Sequence, residues 1–291
     1  ELPCPTVISC NALIRGYHRQ GNTKDALHCF KQMQHEGICP DSSTFSCILN
    51  VYGSLKSSKE GIKVHAVIVE DMFLGKTNML ENALVDMYAK CGDLLKAQHV
   101  HEQLPVRDTI SWNALIAGYT QHGKDSKALN SFEQMLSEGL SPDAVILTCV
   151  LQACGNIGDA EVGEKVHVDI VREALLESDT TLGNAVVDMY AKCGFLSKAQ
   201  DVFDDLPVLD VVSWAVLIAG YVRLGYAAEA LCCFDRMQEG GQSPNAAIYA
   251  CILQACGDVG AVQRGKEIHK DIISKGFLDK DIMIGNSLLN M

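Results

Sequence analysis

The phrase SWNALIAGYTQHG, residues 111–123, has two near-copies in the same chain. SCNALIRGYHRQG occupies 9–21 and SWAVLIAGYVRLG occupies 213–225, so the copies stand 102 residues apart. Other phrases keep the same interval: Asn82, Asn184 and Asn286; His65, His167 and His269; Cys47, Cys149 and Cys251. Nothing is inserted anywhere between them. A chain that repeats at a fixed period builds one supersecondary unit many times, and each copy must mate with the same kind of neighbour.

Each 102-residue block divides again. Asn113 and Asn184 sit in similar contexts: a short apolar stretch, a Tyr, a Gly, then a second amphipathic stretch. Aligning these contexts gives units of about 35, 36 and 31 residues. Their boundaries are 7–41, 42–77, 78–108, 109–143, 144–179, 180–210, 211–245 and 246–281, with a stub at 282–291.

Every unit reads as two helices. Ala26, Phe30 and Met33 fall at i, i+4 and i+7 with Leu27 beside them, which is one apolar helical stripe. Gly21 and Gly37 stand where helix-ending glycines belong. Pro40 and Asp41, SPD at 141–143 and SPN at 243–245 mark the next starts. No segment alternates with period two between turn dipeptides, so no strand is expected. A short hairpin cannot bury its stripe alone but can do so against neighbours. The predicted fold is all-α: a right-handed α-solenoid superhelix of about eight and a half helix-turn-helix units with a concave face.

Composition narrows the function. A formal charge of −12 argues against a polybasic coat, while leaving room for a local basic track. No apolar run approaches the roughly 18 residues of a spanning helix. The opening ELPCPTVISC is not a targeting peptide, and the pattern is cut at both ends, so the chain reads as part of a longer protein. The 13 cysteines are odd in number and contain no C-x-x-C pair, which disfavours zinc ribbons and disulfide frameworks. Those in register read as small buried apolar groups. No cofactor or metal is implied, and no nucleophile–base constellation emerges.

SWNALIAGY, VGEKVH, NAVVDMYAKCG and the closing GLSPD, together with the 35/36/31 spacing, resemble plant-type pentatricopeptide repeat proteins of the PLS subfamily, in which P, L and S units alternate. The resemblance covers essentially the whole chain. The Trp-Leu-Gly-Tyr and Ala-Phe pattern of the tetratricopeptide repeat is missing. Membership implies a sequence-specific binder of single-stranded RNA, one unit per nucleotide, in a mitochondrion or chloroplast. It implies service in C-to-U editing or RNA processing, with any deaminase beyond Met291. It also implies a small organellar editing-factor protein docking on L units. No His-x-Glu or Pro-Cys-x-x-Cys signature is present, so the chain itself is not expected to be an enzyme. The rival reading is a helical protein-binding scaffold, which the acidic charge favours.

Residues 2, 5 and 13 of a unit lie near one face of a helix. The fifth positions of the P and S units hold Asn11, Asn82, Asn113, Asn184 and Ala215. Their last positions hold Asp41, Asp108, Asp143, Asp210 and Asn245. An Asn facing a groove can meet the Watson–Crick edge of a splayed base, and the Asp can orient its amide. By the family's code, Asn11/Asp41, Asn82/Asp108, Asn113/Asp143 and Asn184/Asp210 favour uridine. Ala215/Asn245 has lost the amide and should read poorly. The L units offer Ser46, Thr148 and Ala250 as weaker readers. Position 2 supplies Ile8, Met79, Ile110, Thr181 and Val212, either base wedges as in the family or ordinary packing. Position 13 supplies Arg19, Lys90, Lys192 and Arg223, either phosphate contacts or solvated helix ends.

Three further signals read as structural. GNIG at 155–158 and GDVG at 257–260 are expected to be turns between helices. His65, His167 and His269 are expected to cap or pack within the L units. Trp112 and Trp214 are expected to pack between repeats rather than stack on bases.

Overall fold

The computed structural model describes residues 6–71, 78–177, 179–277, 284–285 and 288. Among these it contains sixteen α-helices and no strand. The chain divides into two compact bodies, residues 1–149 and 150–291.

The first body is built of helical hairpins. They are α1 (Val7–Arg19) with α2 (Thr23–His35), α3 (Ser42–Ser54) with α4 (Ser58–Glu70), α5 (Asn78–Lys90) with α6 (Leu94–Glu102), and α7 (Thr109–Gln121) with α8 (Asp125–Ser137). Helix α1 packs on α3, α3 on α5 and α5 on α7, so the first helices form one layer. Helices α2, α4 and α6 each pack on their own partner and on the first helix that follows, and α8 packs on α7. Helix α9 (Ala144–Ile157) comes next.

The second body holds α10 (Ala160–Arg172), α11 (Thr180–Lys192), α12 (Leu196–Asp205), α13 (Val211–Arg223), α14 (Ala227–Glu239), α15 (Ala246–Asp258) and α16 (Val262–Ser274). Here α11 packs on α13 and α13 on α15, while α12 packs on α13 and α14 on α15. Both bodies thus show the two-layer order of an all-α helical-repeat solenoid.

The core lies between the layers. Ala26, Phe30 and Met33 are the buried residues of α2, as their spacing requires. Trp112 is buried edge-on against His101 of α6, with ring centroids 4.2 Å apart. Trp214 meets Phe203 of α12 in the same way at 4.8 Å. Both tryptophans therefore pack between successive hairpins. Gly21 and Gly37 lie just past helix ends at φ +77° and +71°, a left-handed conformation that costs glycine little. Gly118 serves differently: a Cβ there would stand 2.5 Å from the Cβ of Ala89, so its absence lets α7 approach α5.

Three local expectations need correction. His65 and His167 do not stay within their own hairpins. His65 Nδ1 meets the Tyr88 hydroxyl at 2.8 Å, and His167 Nδ1 meets that of Tyr190 at 3.0 Å. Each ties a second helix to the next first helix, because the buried tyrosine hydroxyl needs a partner. GNIG and GDVG are not turns throughout. Gly155 and Gly257 lie inside α9 and α15, and Gly158 and Gly260 supply the positive φ beyond the helix ends. Of the in-register cysteines only Cys47 is buried, while Cys91, Cys149, Cys193 and Cys251 are half-buried. Cys91 and Cys193 face the carbonyls of Tyr52 and Cys154 at 3.8 Å. No group of acidic, His and Cys residues able to hold a metal occurs among the described residues. No helix among them is long and apolar enough to cross a membrane.

Candidate nucleic-acid interface

Residues 2, 5, 9 and 13 of a helix share a face, because successive steps of three and four residues return nearly to the same azimuth. On α5 these are Met79, Asn82, Asp86 and Lys90, and on α7 they are Ile110, Asn113, Ala117 and Gln121. The two stripes lie side by side. Met79, Asn82, Asp86, Ile110 and Asn113, with Ser46 and Asn50 of α3, line one open cleft of about 590 Å³.

The structure brings each Asn to an Asp about a hairpin further on. Asn11 Nδ2 donates to Asp41 Oδ1 at 3.0 Å. Asn82 Nδ2 lies 3.0 Å from both carboxylate oxygens of Asp108. Asn113 Nδ2 donates to Asp143 Oδ2 at 2.6 Å. Burial raises the Asp210 carboxyl, but hydrogen bonds from the Ser213 and Val212 backbone, the Ser213 hydroxyl and the Asn184 amide outweigh it and hold the group below its ordinary value. Asp41 behaves alike: burial raises it, and donors on Thr44 and Asn11 bring it below.

These aspartates have a second task that the sequence reading missed. Each caps the following first helix. Asp41, Asp108 and Asp210 accept from the backbone N–H groups of Thr44, Ser111 and Ser213, all at 2.8 Å. Asp143 accepts from Ile146 N at 3.0 Å. Asn245 accepts from Ile248 N at 3.0 Å and caps α15. The signal was present as Asp-x-x-Ser/Thr at 41, 108 and 210. One carboxylate therefore satisfies an orphan helix donor and fixes the amide of a neighbouring hairpin.

The asparagines are less open than a solvent-facing reader would be. Asn11, Asn82 and Asn184 are buried, and Asn113 is half-buried. The reason is the close approach of the next first helix, whose capping Asp they meet. Their polar atoms differ. Asn11 Oδ1 accepts from Thr44 Oγ1 at 2.6 Å, so both ends of that amide are engaged. The Oδ1 atoms of Asn82, Asn113 and Asn184 are buried with no hydrogen-bond partner among the described residues. An unpaired buried acceptor costs on the order of 1–3 kcal/mol until a donor reaches it. Asn286 lies outside the described residues.

The flanking residues fall into three sets. Ile8, Met79, Ile110 and Val212 are exposed apolar groups, from 43% to 81% accessible, so hairpin packing does not account for them. Thr181 is exposed too. Ser46 and Ala250 are half-buried, and Thr148 spends its hydroxyl on Ala144 O at 2.7 Å. Ala215 is half-buried and brings no polar group. Of the cations, Arg19 and Arg223 are exposed at the ends of α1 and α13. Lys90 and Lys192 are instead paired with Asp86 at 2.7 Å and Asp188 at 2.6 Å, one turn earlier. That i, i+4 pairing was legible as D-M-Y-A-K in both copies.

Sequence comparison fixes the family. The PPR repeat family pattern matches residues 5–54, 107–161 and 209–276, and the PPR repeat pattern matches 82–108 and 184–211. The chain belongs to the pentatricopeptide repeat family. A pentatricopeptide repeat-containing protein of Arabidopsis thaliana is 36% identical across 100% of this chain and 43% of its own length. A mitochondrial relative from the same plant is 34% identical, with 97% of this chain and 27% of its own length covered. A chloroplastic one is 34% identical, with 87% and 40% covered. This pentatricopeptide repeat chain thus spans well under half of the curated relatives it matches. Among solved structures, the pentatricopeptide repeat protein PPR10 in complex with an 18-nt psaJ RNA element has a TM-score of 0.74 at 20% identity, covering 99% of this chain and 41% of that one. PPR10 from maize gives 0.60 at 17% identity over 98% and 45%. Both likenesses bear on the fold.

Proposed function

We propose that this pentatricopeptide repeat chain binds single-stranded RNA sequence-specifically, one hairpin per nucleotide. The observation that carries this reading is the repeated Asn–Asp pair, with an unengaged Oδ1 at Asn82, Asn113 and Asn184, and with exposed Met79 and Ile110 three residues before Asn82 and Asn113 on the same helices. The carboxylate holds one edge of the amide and leaves its buried Oδ1 unpaired, an acceptor that a base satisfies on reaching it. Met79, Ile110 and Val212 offer apolar flanks against which a splayed base can stack. The relative PPR10, whose structure includes RNA, has the same fold.

The alternation of 35, 36 and 31 residues supports membership of the PLS subfamily. On that reading the chain is the recognition tract of an organellar C-to-U editing or RNA processing factor, in a mitochondrion or chloroplast, and catalysis belongs to another part of the protein. Relatives named mitochondrial and chloroplastic support an organellar home. The L hairpins are where an editing-factor protein would dock. The expected target over the first six units, 5′ to 3′, is U-n-U-U-n-U. Selection from a randomised RNA pool followed by sequencing tests the reading. Enrichment of that spaced uridine pattern supports it. A pool left unenriched overturns it in favour of a protein-binding scaffold, the reading that the charge of −12 favours.

A further inference from the structure

The chain has seven arginines, all among the described residues. Four hold carboxylates: Arg107 with Glu138, Arg172 with Asp169, Arg236 with Asp204, and Arg264 with Asp235. Arg15, Arg19 and Arg223 hold none among the described residues. These three are not scattered. Arg15 and Arg19 are the ninth and thirteenth residues of α1, and Arg223 is the thirteenth of α13. They stand on the same helical stripe as Asn11 and Ala215. Carboxylates outnumber cations by 36 to 24 in this chain, so composition does not explain bare arginines at these positions of their helices.

Arg15 and Arg19 are four residues apart, where like charges repel. They share a cleft of about 290 Å³ with His18, Ser46, Cys47 and Asn50, and no carboxylate lines it among the described residues. Arg15 Nη2 finds there only the Cys47 sulfur, at 3.8 Å, a weak acceptor. His18 is held below its ordinary value first by burial and then by Lys90, against the opposing pull of Asp86. Ser46 and Asn50 supply neutral donors. The cleft is therefore a cationic pocket open to an anion.

Helices α5 and α11 present the opposite arrangement. Lys90 lies against Gly53, where a Cβ would meet its Cδ at 3.3 Å, and Asp86 holds its ammonium. A Cβ at Gly155 would likewise meet Lys192 Cδ at 3.0 Å, and Asp188 holds that ammonium. Both lysines are laid flat and neutralised.

We infer that Arg15 and Arg19 form a site for one backbone phosphodiester of the RNA, between the first and second hairpins, and that Asp86 and Asp188 withhold Lys90 and Lys192 from that duty. Guanidinium groups suit this role, since each offers a planar fork to phosphate oxygens. The inference rests on the RNA-binding reading above and adds an uneven grip: some hairpins hold the backbone and others only read.

Salt dependence tests it. Affinity for a short synthetic RNA carrying UAUUAU is measured from low to moderate salt for the wild type and for Arg15→Gln, Arg15→Lys, Lys90→Gln and Asp86→Asn. One phosphate contact on a single strand contributes about 0.7 to the log–log slope. Arg15→Gln flattens the slope by about that amount, Arg15→Lys largely keeps it, Lys90→Gln leaves it unchanged and Asp86→Asn steepens it by up to the same amount. Replacing the phosphate at the first step by an uncharged methylphosphonate reproduces the Arg15→Gln slope in the wild type. An unaltered slope in Arg15→Gln, or equal flattening by Lys90→Gln, overturns the inference alone. Failure of the wild type to bind the RNA overturns the RNA-binding reading with it.

Discussion

The Asn113 amide donates to Asp143 Oδ2 at 2.6 Å, while Asp143 Oδ1 accepts from Ile146 N at 3.0 Å. One carboxylate thus faces two ways, toward the amide of one first helix and toward the N-terminus of the next. On the proposed function, base recognition and folding meet at this residue, and the two contributions can be separated.

Asp143→Ala removes both acceptors. It should cost about 1 kcal/mol in urea unfolding, the usual loss for an N-cap. Asp143→Ser restores the cap and most of that stability while leaving the Asn113 amide unheld. If Ser restores nucleotide discrimination as well as stability, the carboxylate does not orient the amide.

Asn113→Thr with Asp143 kept should move the preferred base at the fourth nucleotide from uridine toward a purine, guanosine first. Competition between four RNAs differing at that nucleotide measures it. Unchanged ranking removes Asn113 from the reading set.

Gly118 and Gly16 occupy equivalent places 102 residues apart, yet their surroundings differ. A Cβ at Gly118 would meet Ala89 Cβ at 2.5 Å, whereas one at Gly16 meets nothing within 4 Å. Gly118→Ala should destabilise by roughly 1–3 kcal/mol, the range for overpacking. Gly16→Ala should stabilise by about 0.5–1 kcal/mol, since alanine is the better helix former. Paired chemical melts check both, and equal effects would refute the close-approach account.

Burial, reinforced by Arg107, pushes the His101 imidazole down to about 4 from 6.5. The unfolded chain then binds the proton more readily, so the contribution to stability is complete above about pH 6.5 and falls as pH drops toward 4. The loss should be on the order of 2–3 kcal/mol. His101→Phe copies the Phe203–Trp214 contact of the second body and should flatten stability between pH 7 and pH 5. A variant as acid-sensitive as the wild type would show that His101 does not carry this dependence.

Much of the fold was legible because it depends on neighbours three and four residues apart. The stripe of Ala26, Phe30 and Met33, the glycines after helix ends and the missing strand pattern all belong to that range. So did two features that the reading passed over: the Asp-x-x-Ser/Thr caps and the Asp86–Lys90 and Asp188–Lys192 pairs. Contacts between hairpins were less legible: His65 meets Tyr88 23 residues on and Trp112 meets Glu138 26 residues on. The Asn11–Asp41 contact, 30 residues apart, was expected from the fifth and last positions of the unit, but the burial of that asparagine was not.

By itself, the sequence determined that this chain repeats, that its segments are helices and which face of each is apolar, since all three follow from local periodicity. Only the tertiary structure decided that Asn82 and Asn184 are buried with an acceptor unmet, that Asn11 is satisfied by Thr44, and that Arg15 and Arg19 stand bare while Lys90 is neutralised. The physical reason is that hydrogen-bond satisfaction and charge pairing depend on distances between hairpins, which chain spacing does not specify.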